Sequence, residues 1–257
     1  MNSSNKDPGV LPVDYRVRFY EQYHRALDMK PVRPSESELS HLLRQFGGRW
    51  DRWLPTDRTT RCLDIGCGIG EFLYFLRHRG FVNVTGIDLS AEELEIAALL
   101  GTSDVHRASA LDYIRSVPRG SLGLVSAFNF FEHLNKAEIL ELLPEIFAAL
   151  APGGTLIAIT PNGLSPFSGA TRYWDFSHET SFTPASWRQI ARLAGFSKMT
   201  FQEYGPIPHS LFGAIRTLAW RSLTLGLVAI SYIEVGHPRD PSKVMTADMK
   251  IILQRDD

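Results

Sequence analysis

Between Arg61 and Thr160 the chain alternates short apolar runs with segments of helical character, and this alternation restricts the fold more than any other feature. An apolar run without polar alternation is a strand covered on both faces, and strands separated by helices pair in parallel. The runs are Cys62–Ile65, 82–87, Val105–Arg107, Leu122–Phe128 and 155–160. Between them, 71–79 reads as a helix ended by Gly80. Ser90 opens a second helix over 91–100, with Glu93 placed to complete a capping box and Gly101 at the far end. Asn135 and Glu138 form another capping-box pair, opening a helix toward Leu150 in which Pro144 predicts a kink or a break. Pro152-Gly153-Gly154 reads as a turn. Thr183-Pro184 starts a helix that Gly195 stops, and Lys198–Glu203 and 244–253 read as the last strands. The expected fold is α/β, a doubly wound, mostly parallel sheet with N-terminal helices and a helical insertion before the last strand.

Four regions follow from this reading. Residues 1–57 form an N-terminal tail and helical attachment, with 1–13 irregular and helices over 15–28 and 36–53. Residues 58–205 are the α/β core, 206–240 an apolar insertion, and 241–257 the last strand of the core. Basic and acidic residues number 27 and 28, so no net charge draws the chain to nucleic acid, which is not expected as a partner. The two cysteines, Cys62 and Cys67, indicate neither a disulfide framework nor a zinc cluster and suit reduced thiols in the cytoplasm. The polar start of the chain has no signal-peptide pattern. The longest uncharged apolar run, 222–233, is too short to cross a bilayer alone.

The first strand runs into Gly66-Cys67-Gly68-Ile69-Gly70 and then a helix. Glycines let backbone turn tightly and approach a ligand, and the helix N-terminus offers free N–H groups. A dinucleotide fold uses the same parts, yet two details differ. Position 71, where the dinucleotide fingerprint wants glycine, is Glu. Asp64 lies just before the loop, where it repels a pyrophosphate and attracts a ligand carrying an ammonium and a sulfonium. Asp88, at the end of the second strand, suits a ribose diol.

With these residues in view, Leu63-Asp64-Ile65-Gly66-Cys67-Gly68-Ile69-Gly70 resembles the first motif of class I S-adenosylmethionine-dependent methyltransferases. Gly86-Ile87-Asp88-Leu89-Ser90 resembles their second, Phe128-Asn129-Phe130-Phe131-Glu132-His133-Leu134 their fourth-strand motif, and Leu150-Ala151-Pro152-Gly153-Gly154 the turn before strand five. The resemblance implies a Rossmann-like methyltransferase fold with S-adenosylmethionine as cofactor. It places the methionine part on Asp64 and the backbone of Gly66, Gly68 and Gly70, and the ribose on Asp88. Leu89, Ala110 and Leu111 then surround the adenine, and Asn129 lines the pocket floor. Many members carry an acid after strand three for the adenine amino group; the matching residue here is Ser109, an uncharged acceptor.

Methyl transfer requires a nucleophile held close and in line, and a hydroxyl nucleophile must lose its proton. Candidate bases belong just after strands four and five. His133 is one. His178 is the other, in Arg172-Tyr173-Trp174-Asp175-Phe176-Ser177-His178-Glu179, where Asp175 is placed to orient His178 or an acceptor hydroxyl. Arg172, Tyr173 and Trp174 are of types that stack on sugar rings and bond their hydroxyls. The stretch from Arg172 to Phe196 resembles methyltransferases of surface-polysaccharide pathways. No ligand spacing demands a metal, and none is expected. In the insertion, Leu211, Phe212, Ile215, Leu218, Ala219 and Leu223 share one helical face, with Trp220 as an interfacial type. That face suits a membrane surface or lipid-linked acceptor at 210–232, or equally packing on the sheet edge or in a homodimer. The expected activity is O-methylation of a sugar hydroxyl in a glycan or lipid-linked precursor, in the cytoplasm or peripherally at the inner membrane. The alternatives are a quinone or natural-product methyltransferase, a nicotinamide-dependent oxidoreductase, and a non-catalytic cofactor-binding protein.

Overall fold

A computed structural model describes residues 33–102, 104–208 and 210–256. The expected tail over 1–13 and helix over 15–28 lie outside the described residues. The first described helix is α1 (Glu36–Trp50), opened by a Ser35–Glu38 capping box and followed by a 3₁₀ turn at Asp51–Trp53. Then come β1 (Cys62–Ile65), α2 (Glu71–His78), β2 (Val84–Asp88), α3 (Ala91–Leu99), β3 (Val105–Arg107), α4 (Ala110–Ser116) and β4 (Leu122–Phe128). The chain continues through α5 (Lys136–Ala149), β5 (Leu150–Pro161), α6 (Ser168–Arg172), α7 (Pro184–Ala194), β6 (Lys198–Glu203), α8 (Leu211–Val235) and β7 (Asp248–Gln254).

The seven strands order as β3-β2-β1-β4-β5-β7-β6. The first five pair in parallel, while β7 runs antiparallel to both β5 and β6. Strand order reverses between β1 and β4, and a ligand crevice opens at the carboxyl ends of strands at such a switch point.

The alternating residues of each central strand feed two cores. Leu63, Val125 and Leu156 face Ile139, Leu142 and Ile146 of α5 and Trp187 of α7. Cys62, Leu124 and Ile157 face Phe72 and Phe75 of α2 and Trp50 of α1. Trp50 is fully buried and stacks on Phe128 at 5.0 Å between centroids. Thus α1, expected as an attachment, closes one face of the core.

Three local expectations change. Pro144 does not break α5, because it lies on the exposed face, where the unbonded carbonyl one turn back meets water. Ile139, Leu142, Leu143 and Ile146 hold the other face in the core. Pro152-Gly153-Gly154 is not a separate turn but a bulge inside β5, where Leu122 pairs Leu150 and Leu124 already pairs Thr155. Ser90 caps α3 through the Glu93 N–H (3.3 Å), but Glu93 makes no return bond to complete a box.

The insertion is one 25-residue helix, about 37 Å long at 1.5 Å per residue. By length and composition α8 reaches what a membrane span needs, although its longest uncharged run alone does not. Its packed side is Gly213, Thr217, Trp220, Thr224, Leu227, Val228 and Ser231, with Trp220 Nε1 donating to Glu203 (3.1 Å). Leu211, Ile215, Leu218, Leu225 and Ile233 point outward and are exposed. The helix therefore packs through a side of mixed polarity and presents a wholly apolar face outward.

Candidate functional site

The glycine loop joins β1 to α2. Gly66 and Gly68 adopt φ of +67° and +51°, a region that costs a Cβ-bearing residue energy. A Cβ on Gly66 would also lie 2.9 Å from the Phe130 ring, and one on Gly68 would stand 3.2 Å from a Glu93 carboxylate oxygen. Gly70 caps α2 in the same left-handed conformation. Backbone N–H groups of Gly66 and Cys67 donate to the Ile87 carbonyl at 2.9 and 3.0 Å. Asp88 accepts from the N–H of Gly68 (3.0 Å) and of Ser90 (2.9 Å), so one carboxylate ties loop to strand.

Asp64 is buried beneath this loop. Burial pushes its carboxyl up to about 7, opposed by the Ser126 hydroxyl, which donates to it at 2.6 Å, and assisted by Asp88. Glu93 is also raised to about 7, first by burial and then by the charges of Asp88 and Glu92. Asp64, Asp88 and Glu93 thus converge on a loop whose glycines let backbone pass close to Phe130 and Glu93. Three acids around this loop fit a cationic cofactor and oppose an anionic one.

Beyond Asp88, Leu89 is exposed and Ala110 and Leu111 are half-buried, leaving an apolar margin where an adenine is expected. Arg107 Nε holds the Leu89 carbonyl at 3.0 Å. Ser109 precedes α4 but makes no side-chain cap bond, so its hydroxyl is not spent on the helix. Asn129, at the end of β4, has φ of +51° and is pinned by its N–H to the Ile159 carbonyl at 3.0 Å. A left-handed Asn there turns the chain sharply out of the sheet and into the 3₁₀ turn Phe131–His133.

The facing wall comes from the segment between β5 and α7. Buried Asn162 anchors its start, donating to the Val244 and Thr246 carbonyls at 3.0 Å each. Gly163 N–H closes its end on the Phe182 carbonyl at 2.6 Å. The Glu132 carbonyl accepts from Glu179 and Thr180 N–H at 2.7 and 3.0 Å, which fastens the segment to the 3₁₀ turn. As a result the rings of His133 and His178 meet edge to face, 4.9 Å apart. Ser177 gives its hydroxyl proton to Asp175 (2.7 Å), so His133 Nδ1, 2.8 Å from the same oxygen, is the donor of that pair. Burial drives His133 down to about 4, with His178 beside it adding to the effect. Burial lowers His178 as well, against the nearby Asp175.

The 172–179 segment divides by exposure. Tyr173 and Trp174 are 81% and 68% exposed, whereas Asp175 is 2% exposed. Asp175 accepts from the N–H and hydroxyl of Ser177 at 2.8 and 2.7 Å, and through Ser177 it bears on His133. Arg172 donates to the Glu179 carbonyl (3.1 Å) and lies over Tyr173. The part expected as a loop also contains the short helix α6. Sequence reasoning missed Glu93 as a loop acid, Ser126 as the partner of Asp64, and Ser177 as the link between Asp175 and His133. It also missed Asp248, whose charge bears on Glu132, and which pairs with the end of β5. Only Ser177, inside the flagged segment, left a trace in the sequence.

This sheet order, with a glycine loop and ribose-side acid at the switch point, defines a Rossmann-like methyltransferase fold. The profile of a methyltransferase-domain family matches residues 33–200, and the chain belongs to that family. Membership of a methyltransferase family goes against the nicotinamide alternative. The chain is 29% identical over 143 residues to a 2-methyl-6-phytyl-1,4-hydroquinone methyltransferase of Synechocystis, covering 55% of this chain and 43% of the relative. It is 28% identical over 115 residues to an ajmaline N-methyltransferase of Rauvolfia serpentina, covering 41% and 38%. The chain thus spans less than half the length of these curated relatives. Among solved structures, a SAM-dependent methyltransferase from Archaeoglobus fulgidus superposes with a TM-score of 0.63 at 19% identity, over 92% of this chain and all of the other.

Proposed function

We propose that this enzyme methylates a hydroxyl on the sugar of a lipid-linked glycan precursor, working at a membrane surface. The observation that carries the reading is one segment that joins exposed Tyr173 and Trp174, with half-buried Arg172 beside them, to the half-buried His133–His178 pair. Aromatic faces stack on a sugar ring, and the guanidinium bonds its hydroxyls. The cofactor supplies a methyl group on a cationic sulfur. Asp64, Asp88 and the backbone of Gly66, Gly68 and Gly70 orient it, with Leu89, Ser109, Ala110 and Leu111 around the adenine and Asn129 below. The chain's own task is to align the hydroxyl and receive its proton. Depressed basicity keeps both imidazoles neutral at pH 7, so either ring has a lone pair to accept with, and His178, nearer the rim, is the first choice.

Two further features support a lipid-linked acceptor. The outward face of α8 is apolar, with Arg216 and Arg221 at its two margins, as in helices that lie in a lipid interface. Under α8 a cavity of about 200 Å³ is lined by Arg49, Arg221 and Lys250, opposed by Glu203, a setting that suits a phosphate. Liposomes containing anionic lipid should co-sediment the protein, and deletion of 210–232 should release it. Equal sedimentation of both proteins would defeat the membrane part, and concentration-dependent dimers without liposome binding would assign the face to a second copy.

A second reading has a specific support: the Synechocystis relative is named for a phytyl hydroquinone, an acceptor that also joins a hydroxylated ring to a lipid tail. Transfer of labelled methyl from S-adenosylmethionine to a glycolipid extract or to a hydroquinone panel separates the two. Label confined to hydroquinones would overturn the glycan reading.

A further inference from the structure

We infer that Glu132, His133 and His178 form a binding site for one divalent transition-metal ion at the acceptor end of the crevice. One ligand atom from each, a carboxylate oxygen and two imidazole nitrogens, lies within 4.8 Å of the others. The three come from two segments joined by the bonds of Glu179 and Thr180 N–H to the Glu132 carbonyl, so their proximity is built into the fold.

Glu132 is completely buried, and neither of its carboxylate oxygens has a hydrogen-bond partner beyond the residue's own backbone N–H. A buried carboxylate without a partner is costly, and such groups are retained where a cation or a reaction uses them. Asp175 and Asp248 are near enough to repel charge on Glu132, so the surroundings favour a cation further. His178 adds a second orphan, because its Nδ1 is buried without a partner. That nitrogen is open to a ligand bond. On His133, the Nδ1–Ser177–Asp175 chain is the kind of outer support that orients metal-ligating imidazoles.

Two imidazoles and one carboxylate suit Zn²⁺, Co²⁺, Mn²⁺ or Fe²⁺ better than Mg²⁺, which prefers oxygen ligands and water. Ligands about 2.1 Å from an ion stand about 3–3.5 Å apart, a contraction that side-chain rotation of Glu132 and His178 provides. Three protein ligands leave positions open. A hydroxyl bound there is acidified: its proton passes to solvent, the oxygen–carbon bond forms as the carbon–sulfur bond breaks, and the electron pair stays on sulfur. In the loaded enzyme the two rings are then ligands, and the cation's charge replaces imidazole basicity. This role rests on the hydroxyl reading above, but metal binding itself does not.

The test uses the full chain, stripped with chelator and titrated with Co²⁺, followed by visible absorption, with bound metal counted by mass spectrometry after gel filtration. The expected result is one Co²⁺ per chain with a d–d spectrum that Zn²⁺ abolishes. Glu132→Gln and His178→Ala should each weaken binding by about tenfold or more. Should Glu132→Gln misfold by circular dichroism, His178→Ala, altered at the edge of the cluster, carries the comparison. The absence of a d–d spectrum in the wild type, or an identical spectrum and affinity in His178→Ala, would overturn the site. No acceptor enters the experiment, so its failure is distinguishable from failure of the methyl-transfer reading.

Discussion

The two ends of the crevice are built differently. The donor end is made of backbone: a glycine loop, two strand ends and amides bonded to Asp88, with Asp64 sealed beneath. The acceptor end is made of side chains: His133 and His178 brought together from 45 positions apart, an exposed aromatic rim and a helix with its apolar side outward. A backbone device tolerates little change and binds one ligand. A side-chain device on loops can be altered without disturbing the sheet that supports it. On the proposed reading, the fold fixes the methyl donor and a few exposed residues set the acceptor.

Changes at the donor end should therefore be the most damaging. Gly66→Val places a branched side chain at a positive φ and against Phe130, and should weaken S-adenosylmethionine binding by about a hundredfold or more, read by calorimetry. Binding within a few-fold of wild type would remove the backbone cradle from the account. At the acceptor end, Tyr173→Ala with Trp174→Ala should raise acceptor KM by about tenfold. The melting temperature and cofactor affinity should not move, since both rings are solvent-exposed.

Protonation sharpens the contrast next. Asp64 and Glu93 titrate near 7, above their unfolded values, and a bound cation stabilises their charged forms. Below pH 7 the cation must displace protons, so affinity should increase as pH rises from 6 to 8, by about tenfold. S-adenosylhomocysteine, which lacks the sulfonium charge, should show a shallower slope in the same titration. The acceptor end has the opposite signature: the imidazoles are depressed below 6.5, His133 to about 4. In the metal-free enzyme the acid limb of kcat should then lie well below pH 6.5, and a limb at the ordinary histidine value would contradict the desolvation of the pair. The smallest effect expected is from Ser177→Ala, which removes only the link between Asp175 and His133. It should lower kcat severalfold and leave KM unchanged.

The same division governs what could be read from the sequence. The helix α7 was legible from end to end, because Thr183, Pro184 and Gly195 act within a turn of themselves. Asp64, the glycines and Asp88 could be nominated from residue type and their place at strand ends, whereas the bonds that hold them, Gly68 N–H to Asp88 and Ser126 to Asp64, join distant segments. Local rules misled where packing or solvent outweighed them, as at Pro144, which sits harmlessly on the wet face of α5, and at Glu93, which turns from its cap to the loop. The acceptor end was only partly legible. His133 and His178 could be nominated by type, but the bonds from Glu179 and Thr180 to Glu132 that unite them join distant segments. Periodicity likewise marked an apolar face on α8 and had no means of saying that this face points away from the protein.

On the proposed reading, donor binding and acceptor chemistry are separable. Cofactor affinity and labelled-methyl transfer, both recorded on wild type and His178→Ala, test this directly. An unchanged Kd for S-adenosylmethionine is expected, with transfer reduced by about a hundredfold or more. Parallel loss of both, or transfer at the wild-type rate, would contradict it.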